Sequence, residues 1–350
     1  MAILESLKKG QKPALDYIFH PESIAVAGVS AGQKGRGIAN SYVERFEAAG
    51  FQGTIYAVNP SGGEAMGRKI YHSLKDIPGP VDFVLSAVPA RNTPQLVSDC
   101  AEKGVKLLHL FTAGFSELGD AEGEALETEI LSIARQSGVR MTGPNGMGIY
   151  CPETGLTFDE GFTKRSGNVG WIAQSGRNGT YVVRDASMRG VYFSKAISYG
   201  NAADLNECDF IEYFRDDPDT EIIGAYIEGV KNGQRFFKVL KEVAAVKPLV
   251  IFKAGNTEAG SRGAASHTAS IAGSSVVWRA ALKQAGAIQV YSLEELVDML
   301  LLFNFLSSPT GCNISIVGFG GGAGIQAADA CTDRGMNVPL APQDLQDELA

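Results

Sequence analysis

The residues best placed to do chemistry in this chain are one histidine, one glutamate and two glycine-rich turns. His267 stands in residues 256–274, NTEAGSRGAASHTASIAGS, a stretch built mostly from Gly, Ala and Ser that leaves its backbone open to a ligand. A lone histidine is ordinarily structural or solvated, but two features argue for more. Glu228 ends the apolar run IIGAYI, where an acid needs a partner. A carboxylate that accepts the Nδ1 proton of an imidazole fixes its tautomer and leaves Nε2 as a nucleophile. The segment IAQSGRNG then puts Gln174, Ser175 and Gly176 where a strand should pass into a helix, and helix-start amides bind phosphoryl groups. These are the parts of a phosphohistidine site, and their meeting in space is an expectation for the fold to test.

The second turn follows the apolar run IAVAGV. Residues 28–37, GVSAGQKGRG, supply Gly28, Ser30, Lys34, Gly35, Arg36 and Gly37 and lead directly into a helical pattern, which makes an anion site from backbone amides. The spacing is not GxGxxG, and the next expected strand, TIYAV, ends in Asn59 and Pro60 where a nicotinamide dinucleotide would want an acid for its ribose. That disfavours an NAD-dependent dehydrogenase. Lys34 and Arg36 suit a ligand richer in phosphate, such as coenzyme A with its pyrophosphate and 3′-phosphate. The plainer alternative is a tight turn carrying two solvated cations.

The elements that must hold these residues read as α/β. Over residues 20–150, continuous apolar runs at 24–29, 54–58, 83–88, 107–112 and 140–142 alternate with helical stretches at 38–49, 94–103 and 123–136. Runs without polar alternation are strands buried on both faces, so the pattern is a parallel sheet of Rossmann-like type, whose ligands gather at strand carboxyl ends. A loop-like stretch follows, and the alternation restarts with strands expected at 169–173, 193–197, 222–227 and 249–254 and helices at 236–245 and 293–306. From Cys312 a third α/β unit begins with NISIVGFGGGAG. The expected domains are therefore 1–150, 151–310 and 311–350, the last apparently truncated.

Composition bounds the partners. Of the 350 residues, 31 are Lys or Arg and 39 are Asp or Glu, a net charge of −8 that argues against a binder of nucleic acid or an anionic membrane, which would need a basic face. No apolar run reaches the roughly 18 residues of a membrane span, and the opening MAILESLKKGQK lacks the apolar core of a signal peptide, so a cytoplasmic location is expected. The five cysteines, Cys100, Cys151, Cys208, Cys312 and Cys331, are widely spaced without a CxxC pair. Buried, reduced thiols are expected of them, with neither a disulfide framework nor a metal site.

The ordered set HPESIAVAGVS, AVNP, SAVPA, FTAGFSE, GPNGMG, AQSG, YIEG, KAG and SHTASIAG resembles the CoA-binding α part of nucleoside-diphosphate-forming acyl-CoA synthetases, similar to the α subunit of succinyl-CoA synthetase. The resemblance implies a Rossmann-like CoA-binding domain followed by a flavodoxin-like domain of succinyl-CoA-synthetase type. It also implies a reaction joining a carboxylate to CoA with ATP, through an acyl phosphate and a phosphohistidine. On this reading His267 is the phosphorylated residue and Glu228 orients it. Gln174, Ser175 and Gly176 hold phosphate, while Asn145 and Gly146 face the acyl end. The CoA loop spans 28–37, with Asn59, Pro60, Val88, Pro89, Thr112, Ala113 and Gly114 along the same cleft. Where relatives carry small apolar residues after QSG this chain has Arg177 and Asn178, which would favour an acid with a second polar or anionic group. The resemblance further implies an ATP-grasp β subunit as partner in a hetero-oligomer, with ATP or ADP and Mg2+ bound mainly there, and a small carboxylic acid or acyl-CoA as substrate. A non-catalytic CoA-binding or regulatory module of the same fold is the alternative.

Overall fold

The computed structural model describes residues 15–32, 37–257, 260, 274–306, 311–318 and 320–349. His267, Lys34, Gly35 and Arg36 lie outside the described residues. Strands β1 (Ser23–Ala27), β2 (Thr54–Val58), β3 (Gly63–Ala65), β4 (Arg68–Tyr71), β5 (Phe83–Ser86), β6 (Leu107–Leu110) and β7 (Arg140–Thr142) form one sheet. Its order is β3-β4-β2-β1-β5-β6-β7, and every pairing is parallel except β3 with β4. β1 is buried along its length because its alternate residues enter two cores: Ile24 and Val26 on one face, Ala25 and Ala27 on the other. That double burial is why the run shows no polar alternation.

The expected strands overran their ends. β1 stops at Ala27, β5 at Ser86 and β6 at Leu110, each two residues before its apolar run does. The residues beyond cross between neighbouring strands: Gly28 N donates to Val58 O at 2.8 Å, and Ala87 N to Ala27 O at 3.0 Å. These turns are apolar because they floor a crevice, so hydrophobicity could not separate them from strand. The β3–β4 hairpin was not anticipated either. Its two-residue turn, Met66 and Gly67 with φ of 52° and 69°, joins segments too short to show a period.

A second sheet contains β8 (Gly148–Tyr150), β9 (Val169–Ala173), β10 (Phe193–Ser198), β11 (Ile222–Ile227), β12 (Leu249–Lys253) and β13 (Ile288–Val290). The order is β13-β12-β11-β9-β10-β8, parallel except for β8 against β10. Four of these strands stand where the apolar runs placed them, and β8 and β13, three residues each, were not anticipated. Helices Gly176–Met188, Glu207–Asp216, Gly233–Ala244, Ser275–Ala285 and Leu293–Phe305 complete this half. One hydrophobic core runs unbroken from Ile24, Val26, Tyr42 and Phe83 of the first sheet's side to Trp171, Phe193, Phe210 and Ile251 of the second.

Residues 305–350 form a compact unit of their own. The strand expected from Cys312 makes only one parallel rung, Asn313 with Asn337, for want of a neighbouring ladder, and helices Gly321–Asp333 and Gln343–Leu349 follow. All five thiols are free; Cys100, Cys151 and Cys208 are buried, whereas Cys312 is exposed and Cys331 half-buried, against expectation, in a unit where no described residue is fully buried. Among the described residues no helix is long and apolar enough to cross a membrane.

Candidate functional site

The parallel register brings two expected residues together. Tyr226 of β11 sits opposite Ala173 of β9, so Gln174 and Glu228 leave the sheet side by side at its carboxyl edge. Both are buried. Gln174 Oε1 accepts the backbone N–H of Glu228 and that of Gly229, the latter at 3.1 Å, while the Gln174 backbone N–H donates to Tyr226 O at 3.2 Å. Glu228 is thus held by its main chain, with its carboxylate directed from a fixed platform.

Ser175 caps the helix Gly176–Met188, its Oγ accepting from Asn178 N at 3.4 Å, and no acid occupies the first turn. This helix begins two residues after Gln174, at the carboxyl edge of the sheet from which Glu228 also leaves, so its positive end lies at that edge. A Cβ on Gly176 would come to 2.0 Å from Met147 Cγ, so a side chain here would force Met147 to move. That contact joins the helix start to the loop carrying Asn145 and Gly146. Asn145, at φ 60°, donates its N–H to Thr112 O at 2.9 Å and its side-chain amide to Asn201 Oδ1 at 3.4 Å. Gly146 is pinned from behind by His109, whose Nε2 lies 2.9 Å from Gly146 O. Burial pulls the His109 pKa down to about 4, against the pull of that carbonyl, so the ring is neutral and donates from Nε2.

The line continues into the first sheet. Thr112 Oγ1 donates to Val88 O at 2.5 Å, and Gly114 N donates to Glu117 Oε1 at 2.6 Å, with Ala113 exposed between them. A cleft of about 360 Å³ opens beside Val88, lined also by Gly28, Pro60, His72 and Arg91. Its floor is backbone: a Cβ on Gly28, at φ 102°, would meet Ala87 O at 3.1 Å. Ser30 is fixed by a two-way bond with Asn40, Ser30 N donating to Oδ1 and Nδ2 donating to Ser30 O, both at 2.9 Å, and Gly37 opens the following helix. Asn59 folds its side chain back onto Ser61 N at 3.0 Å, shaping a turn beside Pro60. Pro89 is exposed at the start of a short 3-10 turn.

The chain of contacts therefore runs from Gly28 and Val88 through Thr112, Asn145 and Met147 to Gly176, Gln174 and Glu228. Arg177 stands on the exposed side of its helix, beside a hollow lined by Met147 and Tyr181. Sequence reading missed several residues. Lys253, the last residue of β12, pairs with Ile227 and so neighbours Glu228; it is buried, with Nζ 5.1 Å from the centre of the Trp278 ring. Burial pulls its ammonium pKa down and Glu228 pulls it back up. Tyr226 is pushed up to about 12 by burial, with Glu228 adding to the shift. The segment carrying His267 leaves the sheet just beyond Lys253, which the motif KAG could have signalled. Arg91 and His72 of the cleft had no such signal, apart from Arg91 following SAVPA closely.

Residues 22–152 match the family model of a CoA binding domain, and residues 166–303 that of a succinyl-CoA ligase like flavodoxin domain. The chain is 39% identical over 332 residues to the α subunit of the ADP-forming acetate–CoA ligase I of Pyrococcus furiosus, covering 93% of this chain and 71% of that one. It is 39% identical over 333 residues to the ADP-forming acetate–CoA ligase of Methanocaldococcus jannaschii, covering 94% of this chain and 46% of that longer one. Among solved structures, the acetyl-coenzyme A synthetase 1 of Ca. Korarchaeum cryptofilum, in complex with phosphate and ADP, superposes with a TM-score of 0.87 at 35% identity, over 95% of this chain and 72% of that one.

Proposed function

The chain belongs to the ADP-forming acetate–CoA ligase family, as its α part, and from that premise we propose the chemistry its own residues perform. Coenzyme A lies in the cleft of Gly28, Pro60, Val88 and Thr112, with Ser30 and the cations Lys34 and Arg36 on its phosphates and its thiol directed toward Asn145 and Gly146. In the ATP-making direction, phosphate held at the amides of Ser175 and Gly176 attacks the thioester carbonyl. The carbon–sulfur bond breaks, CoA leaves as the thiolate and an acyl phosphate forms. His267 Nε2 then attacks phosphorus, the phosphorus–oxygen bond to the acyl group breaks, and the carboxylate leaves. Glu228 accepts the Nδ1 proton of His267 and stabilises the charge the ring gains. The helix start offsets charge on the transferring phosphoryl group.

The observation that carries this reading is the convergence of Gln174, the Ser175-capped helix start and Glu228 on one sheet edge, beside the strand from which the His267 segment departs. ADP is bound by an ATP-grasp partner subunit, and its terminal phosphate oxygen attacks the phosphorus on His267, so that the nitrogen–phosphorus bond breaks and ATP forms; Mg2+ would be held with the nucleotide there. Arg177 and Asn178 select an acid bearing a second polar group, and the protein works in the cytoplasm. Residues 1–150 and 151–310 are the two working domains, and 311–350 a further, smaller α/β unit.

The test is mass spectrometry at alkaline pH of the chain incubated with magnesium, phosphate and a panel of acyl-CoA thioesters. A phosphoryl adduct on His267, absent from His267→Ala and formed with one thioester, is the expected result and names the acid. No adduct across a broad panel, with and without an ATP-grasp subunit and with CoA binding intact, would point to a non-catalytic CoA-binding module instead.

A further inference from the structure

A second cluster of ligating side chains stands apart from Glu228 and Gln174. His20 ends the short helix Asp16–Phe19, Cys151 follows β8, and Glu153 lies in the 3-10 turn Pro152–Thr154. Though His20 is far from the other two in the chain, the three bring one ligating atom each to within 4.8 Å of one another. His20 Nε2 is 3.7 Å from Glu153 Oε2. On the other side of the ring, His20 Nδ1 is 2.8 Å from Asp16 Oδ1, and the same oxygen accepts from Tyr213 OH at 3.0 Å. Thr154 Oγ1 donates to Phe19 O at 2.8 Å, so the two segments bearing the ligands are already tied.

We propose that His20, Cys151 and Glu153 bind a divalent cation of the zinc class, with Asp16 as the positioning residue and solvent in the fourth place. Ligand atoms of a tetrahedral zinc site stand roughly 3.3–3.8 Å apart, given metal–ligand bonds of about 2.0–2.3 Å. The His20–Glu153 separation of 3.7 Å is a few tenths of an ångström wider than a nitrogen–oxygen pair on zinc needs, and the Glu153 side chain, 60% exposed, can close that and the rest by rotating. A thiolate, an imidazole and one carboxylate suit zinc better than magnesium or calcium, which take oxygen alone. Asp16 on Nδ1 is the arrangement that presents Nε2 to a metal and raises its basicity. Cys151 is buried, so the cation enters from the half-exposed side of His20 and Glu153, and the thiol proton is released to solvent on binding. The expectation of no metal site rested on cysteine spacing, which cannot reveal ligands gathered from distant segments.

The full chain, stripped with a chelator and titrated with cobalt(II), tests this. One equivalent should bind with a near-ultraviolet thiolate-to-cobalt band, and zinc should displace it. Cys151→Ser should abolish the band, and Asp16→Asn should weaken affinity about 10–100-fold. Failure of the wild type to bind stoichiometrically, or an unchanged band in Cys151→Ser, overturns the proposal; the latter would assign the band to Cys312 or Cys331. Should Cys151→Ser not fold by circular dichroism, Glu153→Gln takes its place. Its band should persist at an affinity about 10-fold lower or worse, and an unaltered affinity sinks the site.

Discussion

Glu228 owes its position to its main chain rather than to its carboxylate. The Gln174 amide oxygen takes the N–H groups of residues 228 and 229, so Glu228→Gln should leave the backbone in place and change only what the side chain offers. Phosphorylation of the chain by acyl-CoA and phosphate should slow roughly 10–100-fold, the effect typical of losing a residue that orients a histidine. CoA affinity, read by calorimetry, should not move. An equal loss in both would mean that the sheet edge had collapsed. Much of this was legible in sequence because QSG and YIEG mark the ends of strands, where ligands of parallel sheets collect. Asn40 beneath Ser30 and Glu117 on the Gly114 turn were not, since apolar runs and glycine turns carry no mark of the polar side chains that brace them.

At the level of elements, the helix Gly176–Met188 sits against the Asn145 loop because residue 176 has no side chain. Gly176→Ala would gain up to about 1 kcal/mol of helix propensity and lose about 1–3 kcal/mol to overpacking against Met147. With the full gain realised, net destabilisation of up to about 2 kcal/mol is expected by urea unfolding. Met147→Ala should restore part of it, and a double-mutant cycle without coupling would show the contact to be slack. A different helix start carries a titrating group. Burial pushes the Glu207 carboxyl up to about 7, its own amide opposing and Asp209 adding. A raised carboxyl favours the neutral form in the fold, so its contribution is full below its ordinary value of 4.5 and is lost as pH rises through about 7. Between about pH 4.5 and about pH 8, wild type should lose about 1–3 kcal/mol relative to Glu207→Gln, which stays neutral. Parallel stability curves for the two would place the titration elsewhere.

Across the whole molecule, the two sheets were readable as α/β because central strands buried on both faces leave uninterrupted runs such as IAVAG and IIGAYI. The short edge strands β3, β8 and β13 were not, because three residues establish no period and their places are set by the neighbour they join. Nor could sequence show that one core serves both halves. Phe83 and Val26 of one sheet belong to the same apolar body as Trp171 and Ile251 of the other. That continuity couples the pair, since opening one sheet's inner face exposes part of the other's, and a single calorimetric transition for residues 15–304 is the expected outcome, two resolved transitions the contrary one. A shared apolar body of this kind opposes hinged, bilobal motion of one sheet against the other, since opening would expose it to water.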